Sequence, residues 1–320
     1  MHIVKDSCGL RRRRAPIVLA AGFFDGVHRG HRLVLDAARD RARARGAAVW
    51  AMTFDVHPLS VLNPPAAPPL LTGNSHKLRL LDEIGIDGVW MLPFDLAMAR
   101  RSREDFARML VEQAPALREI FAGRNWRFGR DAGGSAEWLS CWASSHGHDL
   151  SVFQTAPATM EGHCISSSWV RAAVGAGRLG EAGHLLGRMF SVWGKVVKGR
   201  GVGRQLGFPT ANLAMLDECL PPPGVYAGRA IIEPRRRQRR LDAVLNLGRR
   251  PTLGPESSAA PTLEVHLLDE AGELYGSEME VAFGARMRDE RAFSSRAELA
   301  GQIREDVGQA RALLPKIMQK

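Results

Sequence analysis

Two histidines, His28 and His31, stand with only Arg29 and Gly30 between them, just after an apolar run: residues 17–34 read IVLAAGFFDGVHRGHRLV. At the carboxyl end of a buried strand in a parallel sheet, ligands bind where the strand meets its following helix. The free amides of a helix start attract phosphate, and a glycine lets the phosphate approach the backbone. Two imidazoles in that turn add donors for phosphate charge. The stretch has no nucleophilic Ser or Cys and no Walker Gly-Lys-Ser/Thr sequence. It therefore suits binding and polarising phosphate rather than covalent catalysis. Taken alone, the pair also fits two surface histidines at a helix start.

A second group lies in KGRGVGRQLGFPTANL, residues 198–213. Gly199, Gly201 and Gly203 suggest a flap over a nucleotide. A dinucleotide fold needs a helix next, but Pro209 and the strand-like PTANL follow instead. Thr210 and Asn212 point to one face of that strand. Their hydroxyl and carboxamide oxygens are hard, neutral ligands, suited to helping hold a magnesium ion already bound by ATP. In TLEVHLLD (262–269), Glu264 and His266 also share a face. Two polar residues on an apolar strand are either solvent-facing or functional.

The elements that must carry these residues alternate in the first half. Strands are expected at 16–22, 48–54 and 87–94, and helices at 30–45, 76–85, 102–113 and 135–146. Such alternation predicts a parallel sheet covered by helices on both faces. The stretch NPPAAPPLL (63–71) is predicted to be a loop, because prolines remove amide donors and fix φ. From Phe190 onward, short glycine-punctuated strand segments predict an antiparallel barrel, followed by a terminal helix over 295–314. The boundary is expected after 186, giving domains 1–186 and 187–320.

Composition narrows the class. The 320 residues are 45% hydrophobic, enough for roughly two domains with their own cores. Four cysteines without a Cys-x-x-Cys pair argue against a disulfide framework or a zinc site, and fit a reducing cytoplasm. No apolar run approaches the roughly 18–20 residues that span a bilayer. Arg11–Arg14 and the apolar run after them resemble a signal peptide's charged and apolar regions. The run leads into Asp25 and His28 without a small-residue cleavage pattern, so export is not expected. The net charge of +10 invites a nucleic-acid reading, but the 44 basic residues include only six lysines. An arginine skew of that kind looks like codon bias, and the run RRRQRR (235–240) reads as a solvated hairpin loop. The expectation is no nucleic-acid and no membrane partner; oligomeric state is not legible.

GFFDGVHRGH resembles the His-x-Gly-His signature of the nucleotidyltransferase superfamily. More narrowly, it is similar to the family of bacterial bifunctional riboflavin kinase/FMN adenylyltransferases, the FAD synthetases. TFDVHPLSVL (53–62), AGRNWRFGRDAGG (122–134) and ISSSWVR (165–171) continue the likeness in family order. In the second half, GRQLGFPTANL, PGVYAG (223–228), NLGRRPTL (246–253), LEVHLLD, LYG (274–276) and RMRDERAF (286–293) resemble riboflavin kinase throughout. The resemblance implies a Rossmann-like nucleotidyltransferase domain followed by a kinase β-barrel with a C-terminal helix. It implies two reactions: riboflavin phosphorylated to FMN, and FMN adenylylated to FAD, each with ATP and Mg²⁺.

By that resemblance His28 and His31 contact the ATP phosphates, with Asp25 and Gly30 beside the nucleotide. Ser167, Ser168 and Arg171 form a second phosphate-binding helix start, Arg171 facing the departing pyrophosphate. Asp55, His57, Asn125 and Arg127 lie toward the flavin. In the kinase half Glu264 is the general base. Thr210 and Asn212 serve Mg-ATP under the glycines at 199, 201 and 203, and Asn246 and Arg250 support the nucleotide and flavin sites. The sequence departs from the family's usual residues at Phe23, Ser168, Trp169 and Arg249. A kinase with a degenerate first half kept as scaffold is the alternative those departures leave.

Overall fold

The structure is a computed structural model that describes residues 1–5, 8–199, 202–214, 218–232, 238–249, 261–269 and 274–318. The chain divides into two compact units, Met1–Ser167 and Ser168–Lys320. The boundary expected from the sequence falls inside the second unit, after the helices Ser167–Gly175 and Leu179–Leu186.

In the first unit six strands form one sheet: β1 (His2–Val4), β2 (Ile17–Ala21), β3 (Ala48–Phe54), β4 (Gly88–Leu92), β5 (Leu117–Gly123) and β6 (Ser151–Thr155). Their order is β1-β4-β3-β2-β5-β6, and every pairing is parallel. The order reverses between β2 and β5, the switch point where ligands of open α/β sheets bind. Strand alternation divides the core in two. Ile17, Leu19, Trp50 and Trp90 pack with the helix Arg103–Gln113, while Val18, Ala20, Val49 and Val89 pack with Leu35 and Ala38 of the helix Arg29–Arg45. Burial on both faces is why these strands read as continuous apolar runs. A small hairpin, β7 (Thr159–Met160) and β8 (His163–Cys164), follows the sheet. The expected loop 63–71 contains one turn of 3₁₀ helix, Pro64–Ala66, and no longer element.

The second unit holds a closed antiparallel barrel of β9 (Ser191–Val197), β10 (Ala211–Ala214), β11 (Gly224–Ile232), β12 (Arg239–Arg249), β13 (Pro261–Leu267) and β14 (Glu278–Arg288). Around the barrel the order is β10-β13-β12-β11-β14-β9. Alternate residues point in and out. Tyr226, Leu245 and Val265 fill the inside, while Val225, Ala227 and Val244 meet Ala310 and Leu314 of the terminal helix Arg296–Met318. Of the run 235–240, residues 235–237 lie outside the described residues; Arg239 and Arg240 are exposed at the start of β12.

Strand β3 lies next to β2, one strand from the switch point, and its placement depends on a close approach. Gly88 of β4 lies opposite Trp50 in register, and a Cβ there would sit 2.5–2.6 Å from the buried ring. Gly88→Ala is expected to cost about 1–3 kcal/mol of stability through overpacking. Chemical denaturation followed by tryptophan fluorescence checks this; wild-type stability would show that the ring has room to shift.

Candidate functional site

Among the described residues, each unit contains a cavity. The first, about 780 Å³, opens at the carboxyl ends of β2, β3, β5 and β6. A helix-start turn, residues 23–27, forms one wall. Phe24 (φ 55°), Gly26 (φ 79°) and Val27 (φ 41°) are all left-handed, a conformation disfavoured for Phe and more so for a β-branched valine. Their surroundings hold them there. The Asp25 carboxylate accepts the backbone N–H groups of Leu71 (2.9 Å) and Thr72 (3.0 Å), and the Gly26 N–H donates to Thr72 Oγ1 (3.0 Å). Ser167 Oγ donates to the Asp25 carbonyl at 3.0 Å. Asp25 is buried and does not line the cavity; its carboxylate is spent on tying residues 71–72 to the turn.

The turn delivers both histidines. His28 caps the helix Arg29–Arg45, its Nδ1 accepting from the His31 N–H at 3.3 Å, and the two rings stack at 3.6 Å. Both line the cavity, as does Gly30, where a Cβ would crowd the His28 ring at 3.0 Å. Asn125, Arg127 and Ser167 also line it. Asp55 and His57 do not. Asp55 Oδ1 accepts the Phe94 N–H, and His57 caps the short helix Pro58–Leu62 and meets the Phe23 ring edge-on at 5.0 Å. Ser168 and Arg171 continue the helix Ser167–Gly175 in the second unit. There Trp169 donates from its indole N–H to Glu181 at 2.5 Å, which fixes its ring against the helix Leu179–Leu186.

The second cavity, about 170 Å³, lies on the outer face of the barrel beside the terminal helix. Gly203, Thr210, Asn246 and Glu264 line it. The register explains the convergence: Asn212 faces Glu264, Glu264 faces Asn246, Asn246 faces Val225, and Val225 faces Arg288. Directly opposed residues share a face, so five strands present one continuous row. Gly199 abuts the Asn212 carboxamide so closely that any Cβ would collide with it. His266 also lines the cavity, with its Nδ1 2.9 Å from the Pro209 carbonyl. Gly201 and Arg250, expected on the nucleotide and flavin sides, lie outside the described residues.

Comparison with known proteins matches these two units to two families. Residues 10–169 match the family of FAD synthetases and residues 186–314 the family of riboflavin kinases. The bifunctional riboflavin kinase/FMN adenylyltransferase of Escherichia coli (strain K12) is 36% identical over 289 residues, covering 90% of each chain. The protein of that name from Bacillus subtilis (strain 168) is 30% identical over 312 residues, covering 97% of this chain and 96% of that one.

 The chain belongs to the bifunctional riboflavin kinase/FMN adenylyltransferase family. A crystal structure described as a macrolide-efflux protein from Streptococcus pneumoniae superposes with a TM-score of 0.79 at 27% identity, covering 97% of this chain and 98% of that one. Among the described residues here, no helix is long and apolar enough to cross a membrane.

Three groups at these family sites escaped the sequence reading. Trp126, Phe106 and Phe128 give the first cavity an aromatic wall, with Trp126 and Phe128 at 4.8 Å and Phe106 and Phe128 at 5.0 Å. Glu290 lines the second cavity with Glu264; burial, and next the Glu264 charge, push its carboxyl above the usual carboxylate range. Arg288 is held by a two-pronged pair with Asp306 of the terminal helix, at 2.9 and 2.7 Å. The aromatic wall had a signal in the spacing of NWRF; the Glu290 and Arg288 placements come from barrel closure and had none.

Asp25→Ala leaves the buried N–H groups of Leu71 and Thr72 without their acceptor, at about 1–3 kcal/mol for each such group. The first unit is expected to lose about 2–5 kcal/mol of stability, with Asp25→Asn losing less because its carbonyl still accepts. Thermal and chemical unfolding check this, and a fully stable Asp25→Ala would show that the clasp is dispensable.

Proposed function

We infer that the chain phosphorylates riboflavin to FMN and adenylylates FMN to FAD, with residues 1–186 serving the second reaction and 187–320 the first. One observation carries the assignment: of the two cavities, only the second is lined by carboxylates. No carboxylate lines the first among the described residues, whereas His28, His31, Arg124 and Arg127 do. Glu264, Glu290 and Asp306 line the second, together with Arg288 and Arg291.

Adenylyl transfer needs that first composition. The FMN phosphate is already anionic and attacks the α-phosphate of ATP, releasing pyrophosphate, so no base is required. Alignment and charge stabilisation suffice. His28 and His31 donate toward the phosphates from the start of their helix, with Gly30 leaving room for close approach. Ser167 holds the turn and borders the same space. Ser168 and Arg171, further along that helix, are assigned to phosphate on the family resemblance. Asn125 and Arg127 stand on the flavin side beside the aromatic wall, and Asp25, Asp55 and His57 act by fixing the surrounding backbone.

Phosphorylation of riboflavin starts from a neutral 5′-hydroxyl, so a carboxylate that accepts its proton contributes, typically 10²–10⁴-fold. Glu264 holds that place. Thr210 and Asn212 supply a hydroxyl and a carboxamide oxygen in a cradle that Gly199 and Gly203 leave open. This donor set fits magnesium that arrives with ATP and keeps water and phosphate ligands. Bound there, the ion would neutralise charge on the phosphates while Thr210 and Asn212 fix the nucleotide's orientation. Asn246, opposite Glu264 in register, orients the base. Four cysteines without a Cys-x-x-Cys pair support a reducing, cytoplasmic setting. Small molecules are the proposed partners; the basic charge serves anionic nucleotides rather than nucleic acid.

The purified chain incubated with riboflavin and Mg-ATP is expected to form FMN and then FAD, resolved by chromatography; if neither forms, the assignment is wrong. Glu264→Gln should slow the first step by at least about 10²-fold while added FMN is still converted to FAD. Replacing His28 and His31 together with Ala should give the converse. Each lost donor is worth roughly 2.7–4 kcal/mol in comparable sites. Equal loss of both activities in either variant would contradict the division of labour.

A further inference from the structure

Lys77 lines neither cavity, yet it is 1% exposed within the helix Asn74–Ile84. Its ammonium reaches three oxygens, all at the carboxyl ends of β2 and β3: the Phe54 carbonyl at 3.1 Å, the Thr53 hydroxyl at 3.3 Å and the Phe23 carbonyl at 3.4 Å. The Thr53 hydroxyl in turn donates to the Phe23 carbonyl at 2.8 Å. The Phe23 ring covers the ammonium, 4.5 Å from its centroid. One charge thus joins two neighbouring strand ends immediately before the left-handed turn.

We propose that Lys77 is a positioning residue for adenylyl transfer, its ammonium holding the turn at residues 23–27 in the conformation that aims His28 and His31 into the first cavity. The kinetic part of this proposal rests on the adenylyl reading given above. A buried ammonium is a costly way to fill space that a methionine would also fill. Here its donors meet oxygens of residues that border the cavity; Phe23, Thr53 and Phe54 all line it. Asp25 lies on the turn itself and Asp55 just after β3; His57 meets the same Phe23 ring, and His76 precedes Lys77 on its helix.

Burial lowers Lys77 from 10.5 to about 8, with the charges of Asp25 and Asp55 opposing the shift. The ammonium is therefore still present at neutral pH and is lost as pH rises through that value. A folded pKa below the unfolded one means that the unfolded chain holds this proton more tightly. The resulting penalty is present below about 8 and is relieved as pH climbs toward 10.5, so this group's stability contribution rises with pH there. Loss of activity across the same window would run against that stability trend, which separates positioning from unfolding.

The test uses the full chain with Lys77→Met and Lys77→Arg. FAD formation from FMN and Mg-ATP is measured from neutral to alkaline pH, with riboflavin phosphorylation as the folding control. Amide hydrogen exchange is measured over residues 20–28. Lys77→Met is expected to lower kcat for adenylylation by about tenfold or more at neutral pH, with the kinase rate within about twofold of wild type. Exchange at the turn is expected to be faster and the unfolding temperature unchanged or higher. Wild-type adenylylation should fall as pH passes the value of Lys77, and Lys77→Arg, permanently charged, should lack that fall. Should arginine not fit, the methionine variant decides. Lys77→Met with wild-type adenylylation and unchanged exchange would overturn the proposal. A wild-type chain that makes FMN but no FAD would sink the adenylyl reading instead, and turn exchange in Lys77→Met would then decide this one.

Discussion

A five-residue turn with three left-handed residues does not persist by itself, and the first unit is organised around holding one. Phe24 and Val27 occupy backbone conformations that cost roughly 1–3 kcal/mol each. What the strain achieves is direction. Within five residues the chain leaves the end of β2 and starts a helix whose first ring, His28, faces back into the cavity. The restraints come from far along the chain: Leu71 and Thr72 through the Asp25 carboxylate, and Ser167 through the Asp25 carbonyl. The turn is therefore set by tertiary contacts, and the two helix starts that border the cavity are tied through one residue.

In the barrel the corresponding constraint is register. A slip of one residue would carry Glu264 from the outer face to the interior, among Tyr226, Leu245 and Val265. Closure removes the free edges that would permit such a slip. Asn212, Glu264 and Asn246 hence occupy one row on three adjacent strands without sharing a sequence motif. The Arg288–Asp306 pair ties the end of that row to the terminal helix.

Much of this was legible because it is local. The alternation of apolar runs with helical spacing gave the sheet, and the period-2 pattern around Glu264 placed that residue and His266 together on a face lining the second cavity. β6 was not legible: Ser151–Thr155 is short, polar and largely exposed, and it owes its place to pairing with β5. The family resemblance places Asp25 beside the nucleotide; that its carboxylate caps distant amides depends on a loop forty-odd residues away. The burial of Lys77 is not legible either, since nothing near it in sequence says that the helix turns this side inward. The sequence pattern specifies which elements form; which polar groups they bury is decided by how the elements meet.

The contrast between the cavities matches the two nucleophiles proposed for them. An anionic phosphate and the triphosphate of ATP repel each other, so a site that joins them gains from cations and loses from any carboxylate on its wall. A neutral alcohol brings no such repulsion, but it must lose a proton, and a carboxylate tolerates proximity to ATP only when the phosphate charge is compensated. Burial, and next the charge of Glu264, raises the carboxyl of Glu290, the expected response of two acids sharing a partly desolvated space. A carboxylate pair of that kind would oppose phosphate binding in the first cavity. In the second it stands with Arg288, Arg291 and the Thr210 side chain, where compensating charge is at hand. Placing both reactions in one site would demand contradictory electrostatics, and a chain with two separate cavities, only one of them lined by carboxylates, avoids the conflict.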